Sequence, residues 1–350
     1  MRCLTFLFLV VVSCGCNKAP STLPTSVTTF RSSGLDVSWN QADSNLIAYS
    51  AKGPDGYYDI HIANADGGND TCLTCDHPAL PNKHICCPFW HPNGQWLLML
   101  VEQATHPGSS TDALPGFGSY CDIWLISSDA KKTFKLVTTP ADANHGVIAP
   151  RFSPDGKHIV WTDRVQAPNV AVAKQTAGFW TIKMADFAFD SSGTPSVTNI
   201  HIIQPGETAF YECYGFSPDG SRLIFCSDMN QLSFWNEHIY TIDTNGNNLV
   251  KLTDKDYNEH GIFRPDGSQI VWMTNTNSNT GGTDWWIMNA DGTGKKQLTY
   301  FNEKGNPQWA GGAVWAGLGS FCPAGDRFVG GVQVSLVTQE GKIVMVQLLQ

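Results

Sequence analysis

The sequence has few charged residues and no basic run. Asp, Glu, Lys and Arg make up 15% of the 350 residues, and the formal net charge is −9. Proteins that bind nucleic acid through its phosphates need clustered Lys and Arg, so a nucleic-acid partner is not expected. The sequence also has no Gly-x-Ser-x-Gly elbow and no His-x-His pair. These absences argue against a serine-hydrolase domain and against closely spaced metal-binding histidines.

The apolar run near the N-terminus is short. Arg2 precedes apolar residues from Leu4 to Val12, and small residues and cysteine follow. The run is far below the roughly 20 residues that a membrane-spanning helix needs. A positive start, an apolar core and small residues together predict a secretory signal peptide. The segment Val11-Val12-Ser13-Cys14 resembles the bacterial lipobox, in which cleavage precedes a lipid-bearing cysteine.

By that resemblance, residues 1–13 are the signal peptide and Cys14 is the lipidated N-terminus of the mature protein. Residues 14–29 are rich in Pro, Ser and Thr and would form a tether, and residues 30–350 would form the folded part. Cleavage beyond Cys16 would instead give a soluble secreted protein. We therefore expect a periplasmic or cell-surface lipoprotein that contacts the membrane through its lipid anchor only.

Eleven cysteines fit an oxidising compartment. The Asp219-Gly220 turn predicts a hairpin in which Cys213 lies opposite Cys226, within disulfide range. A second group fits disulfides, with zinc binding as the alternative: Cys72, Cys75, Cys86 and Cys87. The connectivity of that group, and of Cys121 and Cys322, stays open.

One phrase recurs along the chain: an aromatic residue, any residue, Pro, Asp or Asn, and Gly, followed by an apolar run. Pro fixes φ near −65° and Gly accepts a positive φ, so the phrase predicts a tight turn between two strands. A strand, a polar turn and a closing strand follow, which gives four short strands in each unit. Four copies match closely and two more weakly; they begin at Trp39, Trp90, Phe152, Phe216, Phe263 and Phe321.

Six such units predict an all-β protein, a six-bladed β-propeller of four-stranded antiparallel blades. Seven blades stay open if the stretch from Trp309 to Trp315 contains further strands. The phrases resemble the repeats of TolB-type, WD40-like propellers and, more distantly, those of oligogalacturonate lyases. TolB's separate N-terminal domain has no counterpart before Trp39, and no peptidase domain is found. The resemblance therefore implies the fold, but neither the Tol-system function nor peptidase activity.

Propellers bind ligands on the face where two sets of loops open, those before the inner strands and those between the second and third strands. Glu212 and Glu259 each lie four residues before a blade aromatic, so we expect them to converge near the central tunnel. The candidate ligand-binding residues in these loops are His84, Tyr211, Glu212, Glu259, Asp163 and Asp228.

Four of the loop residues form a candidate site for a divalent metal, since imidazole and carboxylate are suitable ligands: His145, His260, Glu212 and Glu259. The lyase resemblance implies that His145 or His260 is ligand or base and that Arg164 holds a substrate carboxylate. The alternative is structural, because His and Glu at these positions can satisfy backbone groups where blades meet.

Two functions follow from these observations. The first is an exported, lipid-anchored binding module that captures a protein or a glycan through its loop face. The alternative is a metal-assisted lyase or hydrolase that acts on acidic oligosaccharides at the tunnel mouth. Whether the protein is an enzyme stays open at this point, and a divalent metal is a cofactor under the second function only.

Overall fold

A computed structural model of the chain describes residues 26–107, 110–169, 171, 178–203, 205–229 and 234–348. Within these residues the chain forms 24 strands and two short 3₁₀ helices, Ser110–Ala113 and Phe234–Asn236. The protein is therefore all-β, as predicted. Across the same residues, no helix has the length and apolar character that spanning a membrane requires.

The strands form six antiparallel four-stranded sheets, which are the blades of a propeller. In each of the first three blades the strands follow one another from the inner to the outer edge. Blade 1 consists of β2 (Leu35–Trp39), β3 (Leu46–Lys52), β4 (Tyr58–Asn64) and β5 (Thr71–Cys72). Blade 2 consists of β6 (Ile85–Trp90), β7 (Trp96–Glu102), β8 (Cys121–Ser127) and β9 (Thr133–Val137). Blade 3 consists of β10 (Gly146–Phe152), β11 (His158–Gln166), β12 (Phe179–Phe189) and β13 (Pro195–Ile203).

The next two blades repeat this order, and the sixth takes its outer strand from the start of the chain. Blade 4 consists of β14 (Tyr211–Phe216), β15 (Arg222–Ser227), β16 (His238–Asp243) and β17 (Val250–Lys251). Blade 5 consists of β18 (Asn258–Phe263), β19 (Gln269–Thr274), β20 (Asp284–Asn289) and β21 (Lys296–Gln297). Blade 6 consists of β22 (Trp315–Phe321), β23 (Arg327–Ser335), β24 (Glu340–Gln347) and β1 (Ser26–Arg31).

Strand β1 closes the ring, because it pairs with β24 at the other end of the chain. Val27 lies opposite Val346 and packs on the core of blades 5 and 6. Residues 26–29, which the sequence assigned to the tether, therefore belong to a strand of blade 6. The Pro, Ser and Thr content of the segment up to residue 29 concealed this short outer strand. The predicted signal peptide and Cys14 lie outside the described residues.

The recurring phrase forms the turn that its residues predict. In the fourth copy the N–H of Gly220 donates to the carbonyl oxygen of Ser217 at 2.8 Å. The Asp219 carboxylate accepts the Ser217 hydroxyl at 2.6 Å and the Ser221 N–H at 3.0 Å. Gly220 has φ +73°, a conformation that costs other residues energy. The aspartate of the phrase is therefore structural.

The blade aromatics pack between neighbouring sheets. Trp39 at the end of β2 is almost fully buried and packs with Val329 and Ile343 of blade 6. Phe152 of blade 3 belongs to a cluster that includes Leu98 of blade 2. Each blade thus buries both faces against its neighbours, which a single four-stranded sheet is unable to do.

The predicted disulfide between Cys213 and Cys226 is wrong. Phe216 lies opposite Leu223 as predicted, but a bulge between Cys213 and Gly215 shifts the register by one residue. Cys213 consequently lies opposite Phe225, and both cysteines are free. A one-residue shift moves a side chain to the other face of the sheet, so the two thiols do not face each other.

The second cysteine group divides into two pairs. Cys72 and Cys75 form a disulfide with their Cα atoms 5.7 Å apart, so they are unavailable for a four-cysteine zinc site. Cys86 and Cys87 are free in the structure, as are Cys121 and Cys322.

Candidate functional site

Every inner strand contains one extra residue, a β-bulge, near the centre of the ring. In four blades the residue three positions before the blade aromatic has a left-handed backbone; these residues are Asp36 (φ +43°), Cys87 (+57°), Ala149 (+52°) and His260 (+55°). Such φ values are uncommon outside glycine. Since the four occupy equivalent positions around the ring, they point to the same hub.

These four residues line one cavity at the hub, with a volume of about 620 Å³. Its rim includes residues from the loops before the inner strands and from those between the second and third strands, which are the two loop sets that the sequence singled out. The rim includes Phe117, Arg164, Trp180 and Phe210. A cavity of this size, with apolar walls and a few polar groups, is typical of a ligand site.

Glu212, Glu259 and His260 lie together in the cavity and form its acidic side. One donor atom from each lies within 4.8 Å of the others. The hydroxyl of Tyr257 donates to Glu259 Oε2 at 2.7 Å, and that of Tyr214 donates to Glu212 Oε2 at 3.2 Å. The predicted convergence of the two glutamates is therefore what the structure shows, and His260 joins them.

A second, fully buried group lies behind the first and shares Glu259 with it. Donor atoms of Cys226, Glu237 and Glu259 lie within 4.8 Å of one another. The Cys226 thiol donates to Glu237 Oε2 at 3.3 Å. Among the described residues, Glu237 Oε1 and His260 Nδ1 are buried without a hydrogen-bond partner. Buried polar atoms of this kind are costly unless a ligand, a water molecule or an ion satisfies them.

Burial determines the protonation of this cluster. It raises the pKa of Glu212 and of Glu237 well above the usual range, and the charge of Glu259 raises both further. Burial also lowers the pKa of His260. Since low-dielectric surroundings disfavour each charged form, burial shifts all three side chains toward their neutral forms.

A different set of donors faces the hub from blades 1 and 2. Cys86 Sγ and Cys87 Sγ are 3.5 Å apart, and Cys87 Sγ is 3.4 Å from Asp36 Oδ2. Burial raises the pKa of Asp36. Arg151 of blade 3 is close enough for its positive charge to act on Asp36 and Glu212. Its guanidinium stacks over the ring of Phe89, 4.8 Å from the ring centroid.

Arg164 lies in the cavity wall. Its Nη2 donates to Ser119 Oγ at 2.6 Å and to the Ala143 carbonyl oxygen at 2.9 Å. The guanidinium is 5.3 Å from the Trp180 ring centroid. No described residue accepts a hydrogen bond from its buried Nε. These contacts fix the side chain and join two rim loops.

Neither His145 nor His84 joins the cluster. Nδ1 of His145 is 2.8 Å from Asp142 Oδ1 in a rim loop, and His145 does not line the cavity. The ring of His84 is buried, and its Nδ1 accepts the N–H of Tyr58 at 3.1 Å. His84 therefore matches the structural alternative, in which such residues satisfy backbone groups where blades meet.

Three other predicted ligand-binding residues also have structural contacts. Tyr211 is fully buried, and its hydroxyl donates to a backbone carbonyl oxygen. Asp163 Oδ2 accepts Lys183 Nζ at 2.8 Å. Asp228 Oδ1 accepts the N–H of Phe210 at 2.9 Å. None of the three lines the cavity.

Known structures share this architecture at low sequence identity. TolB from Acinetobacter baumannii is 17% identical, with a TM-score of 0.53 over 91% of this chain and 63% of that chain. The fold is that of a TolB-type propeller. An oligogalacturonate lyase in complex with manganese is 14% identical, with a TM-score of 0.54 over 95% of each chain. A puromycin-hydrolyzing peptidase of Mycobacterium tuberculosis is 13% identical, with a TM-score of 0.51 over 85% of this chain and 50% of that chain.

No protein-family model matches the sequence, and no curated protein matches it. The chain spans slightly less than two thirds of the length of the A. baumannii TolB. At these identities the likeness concerns the TolB-type propeller fold, and residue roles must come from this chain's own hub.

Sequence reasoning missed several residues that the TolB-type propeller brings to the hub. Asp36 and Cys87 stand three residues before a blade aromatic, at the offset of His260. Cys86 stands four residues before, at the offset of Glu212 and Glu259. Listing the residues three and four positions before the aromatic in all six copies of the phrase would have identified Asp36, Cys86 and Cys87.

Proposed function

We propose that the protein is an exported binding module that captures a glycan or a protein segment in the hub cavity. The supporting observation is the cavity of about 620 Å³ on the loop face of the propeller. That volume lies within the roughly 300–1,000 Å³ of typical ligand pockets. The proposed lipid anchor at Cys14 would hold the module on a membrane, with the loop face free to meet its ligand.

The lining determines what kind of ligand the cavity suits. Aromatic rings in the lining, among them Phe117 and Trp180, suit stacking against an apolar face such as that of a sugar ring. Glu212 and Glu259 in the same lining suit hydroxyl or amine hydrogens. Fixed polar groups beside aromatic walls give orientation as well as affinity. A sugar residue, or a polar side chain of a protein ligand, meets both requirements.

A binding screen against glycan and protein libraries tests this function. Phe117 is 37% exposed and lines the cavity, whereas Ile202 is 59% exposed on outer strand β13 and does not line it. We expect Phe117→Ala to weaken the binding of any hit about tenfold or more, the loss typical of a buried aromatic contact. Ile202→Ala should leave the affinity unchanged. Equal affinities in both variants would place the ligand elsewhere and overturn the proposal.

The second candidate function, a metal-assisted lyase or hydrolase of acidic oligosaccharides, is favoured by one observation. Two carboxylates and an imidazole, from Glu212, Glu259 and His260, converge within 4.8 Å in the cavity. Their chemistry fits a divalent cation, and the unpartnered His260 Nδ1 fits a ligand atom. A bound cation would neutralise the carboxylate of an acidic sugar.

In that function the chain's own residues orient the substrate and move the proton. Arg164 lies in the same cavity wall and suits a sugar carboxylate. If His260 does not bind the metal, its neutral form, which burial favours, is the one that a base requires. His145 is not part of this arrangement, because it does not line the cavity.

Metal analysis with an activity assay tests the alternative. Incubation with uronate-containing oligosaccharides and Mn²⁺ should yield products with the ultraviolet absorbance of an unsaturated uronate. His260→Ala and Glu259→Gln should lose both the metal and this product, while His145→Ala should keep both. Stoichiometric metal without product would reject the enzyme but leave the binding module intact.

A further inference from the structure

Two adjacent cysteines and one aspartate meet at the hub, apart from the glutamate cluster. One donor atom from each of Asp36, Cys86 and Cys87 lies within 4.8 Å of the others. We propose that these three residues form a binding site for a thiophilic divalent cation, of which zinc is the expected physiological example. Its donors are different from those of the Glu212–Glu259–His260 group, although Asp36 and Cys87 line the same cavity.

Two of the three distances between the donors are close to the edges of a coordination tetrahedron. Zinc bonds of about 2.3 Å to sulfur and about 2.0 Å to oxygen give edges of about 3.8 Å between two sulfurs and about 3.5 Å between sulfur and oxygen. The two sulfurs lie 3.5 Å apart, and Cys87 Sγ lies 3.4 Å from Asp36 Oδ2. An outward movement of a few tenths of an ångström would accommodate the cation.

The bulges explain how neighbouring residues contribute to one site. In a regular strand, successive side chains point to opposite faces of the sheet. The bulge in β6 and the left-handed φ of Cys87 bring both thiols to the same place. Asp36 occupies the equivalent bulge of β2 in the adjacent blade. Ala149 has the same left-handed backbone at the equivalent position of blade 3. The backbone conformation is therefore shared between blades, whereas metal-binding side chains occupy these positions in blades 1 and 2.

The site would retain an open coordination position. Three protein ligands with a fourth, open position are typical of zinc that contacts water or a ligand. Asp36 and Cys87 both line the cavity, so that position would face the ligand. Binding would release two thiol protons and add two positive charges, which leaves the net charge beside Arg151 unchanged.

Metal titration of the purified full chain tests the proposal. The protein is first reduced and freed of metal, then titrated with Zn²⁺ and with Cd²⁺, whose thiolate complexes absorb in the ultraviolet. We expect one tightly bound ion per chain with a thiolate band. Cys86→Ser and Cys87→Ser should lose the band and weaken binding at least tenfold, and Asp36→Asn should weaken it. Cys121→Ser, which removes a buried thiol outside the donor set, should change neither the thiolate band nor the affinity.

Differential alkylation of the wild-type protein gives a second readout that needs no variant. Equimolar Zn²⁺ should protect Cys86 and Cys87 from alkylation, as peptide mass mapping would show. Unprotected thiols, or equal metal affinity in both serine variants, would overturn the proposal. The proposal would also be overturned if Cys86 and Cys87 formed a disulfide and the protein still bound no metal after that disulfide was reduced. A failure here leaves ligand capture, tested by Phe117→Ala, unaffected.

Discussion

The buried glutamate cluster predicts that the protein loses stability as the pH rises above about 4.5. Glu237 is completely buried, and burial holds its pKa well above the usual value of 4.5. Between these two pKa values the unfolded chain has lost its proton while the folded protein keeps it. The free energy of unfolding therefore falls by up to about 1.4 kcal/mol for each pH unit in this window.

Replacing Glu237 with Gln should remove this contribution. Across the pH range between these two pKa values, the wild-type protein should lose more unfolding free energy than the variant, roughly 1 kcal/mol for each pH unit. Urea denaturation at several pH values measures the difference between the two slopes, which reports Glu237 together with the groups coupled to it. The matched control is Glu340→Gln, since that side chain is 58% exposed and should not alter the slope.

Parallel slopes for wild type and Glu237→Gln would refute this reasoning. They would mean that Glu237 is ionised in the folded protein, with a cation beside it. Repeating the titration in the presence of a chelator separates these cases, because removal of a bound divalent ion would restore the difference. The measurement thus reports on the charge state of the hub as well as on its stability.

Three further predictions concern the anchor, the register and the core. Cys14→Ser should move the protein from the membrane to the soluble fraction; continued membrane association would reject the lipid anchor. Mass mapping under non-reducing conditions should find Cys213 and Cys226 unlinked, and a cross-link between them would contradict the bulged register. Trp39→Ala should lower the free energy of unfolding by about 3–5 kcal/mol, as expected for a buried aromatic. In the same urea experiment, replacing the exposed Trp235 with Ala should lower it by less than about 1 kcal/mol.

The sequence predicts the fold well because its phrases encode local turns. The Ser217–Ser221 turn depends on Pro, Asp and Gly at fixed positions, and those residues bring about the same turn wherever they recur. Phe216 accordingly lies opposite Leu223, as counting outward from the turn predicts. The same count gives the wrong partner for Cys213, three residues before Phe216, because a bulge lies between Cys213 and Gly215. The turn residues do not encode that bulge.

The site was harder to predict, for the same reason. Glu212 and Glu259 were found because they share an offset from the blade aromatic, and equivalent offsets meet around the hub. His145 was chosen for its residue type and for its place in a loop, yet it lies in the rim beside Asp142. Offset within the repeat is therefore a better guide to the hub than chemistry alone.

The bulges connect the repeat architecture to the chemistry of the hub. Without them, Glu259 and His260 would point to opposite faces of blade 5, and Cys86 and Cys87 to opposite faces of blade 2. An extra residue in each inner strand lets two consecutive side chains serve one site. Two positions in each of six inner strands give twelve hub positions, whose residues can differ between propellers while the blades stay the same. In this chain those positions include a dithiol beside an aspartate and two carboxylates beside an imidazole, which are two different sets of donors for two different kinds of ligand.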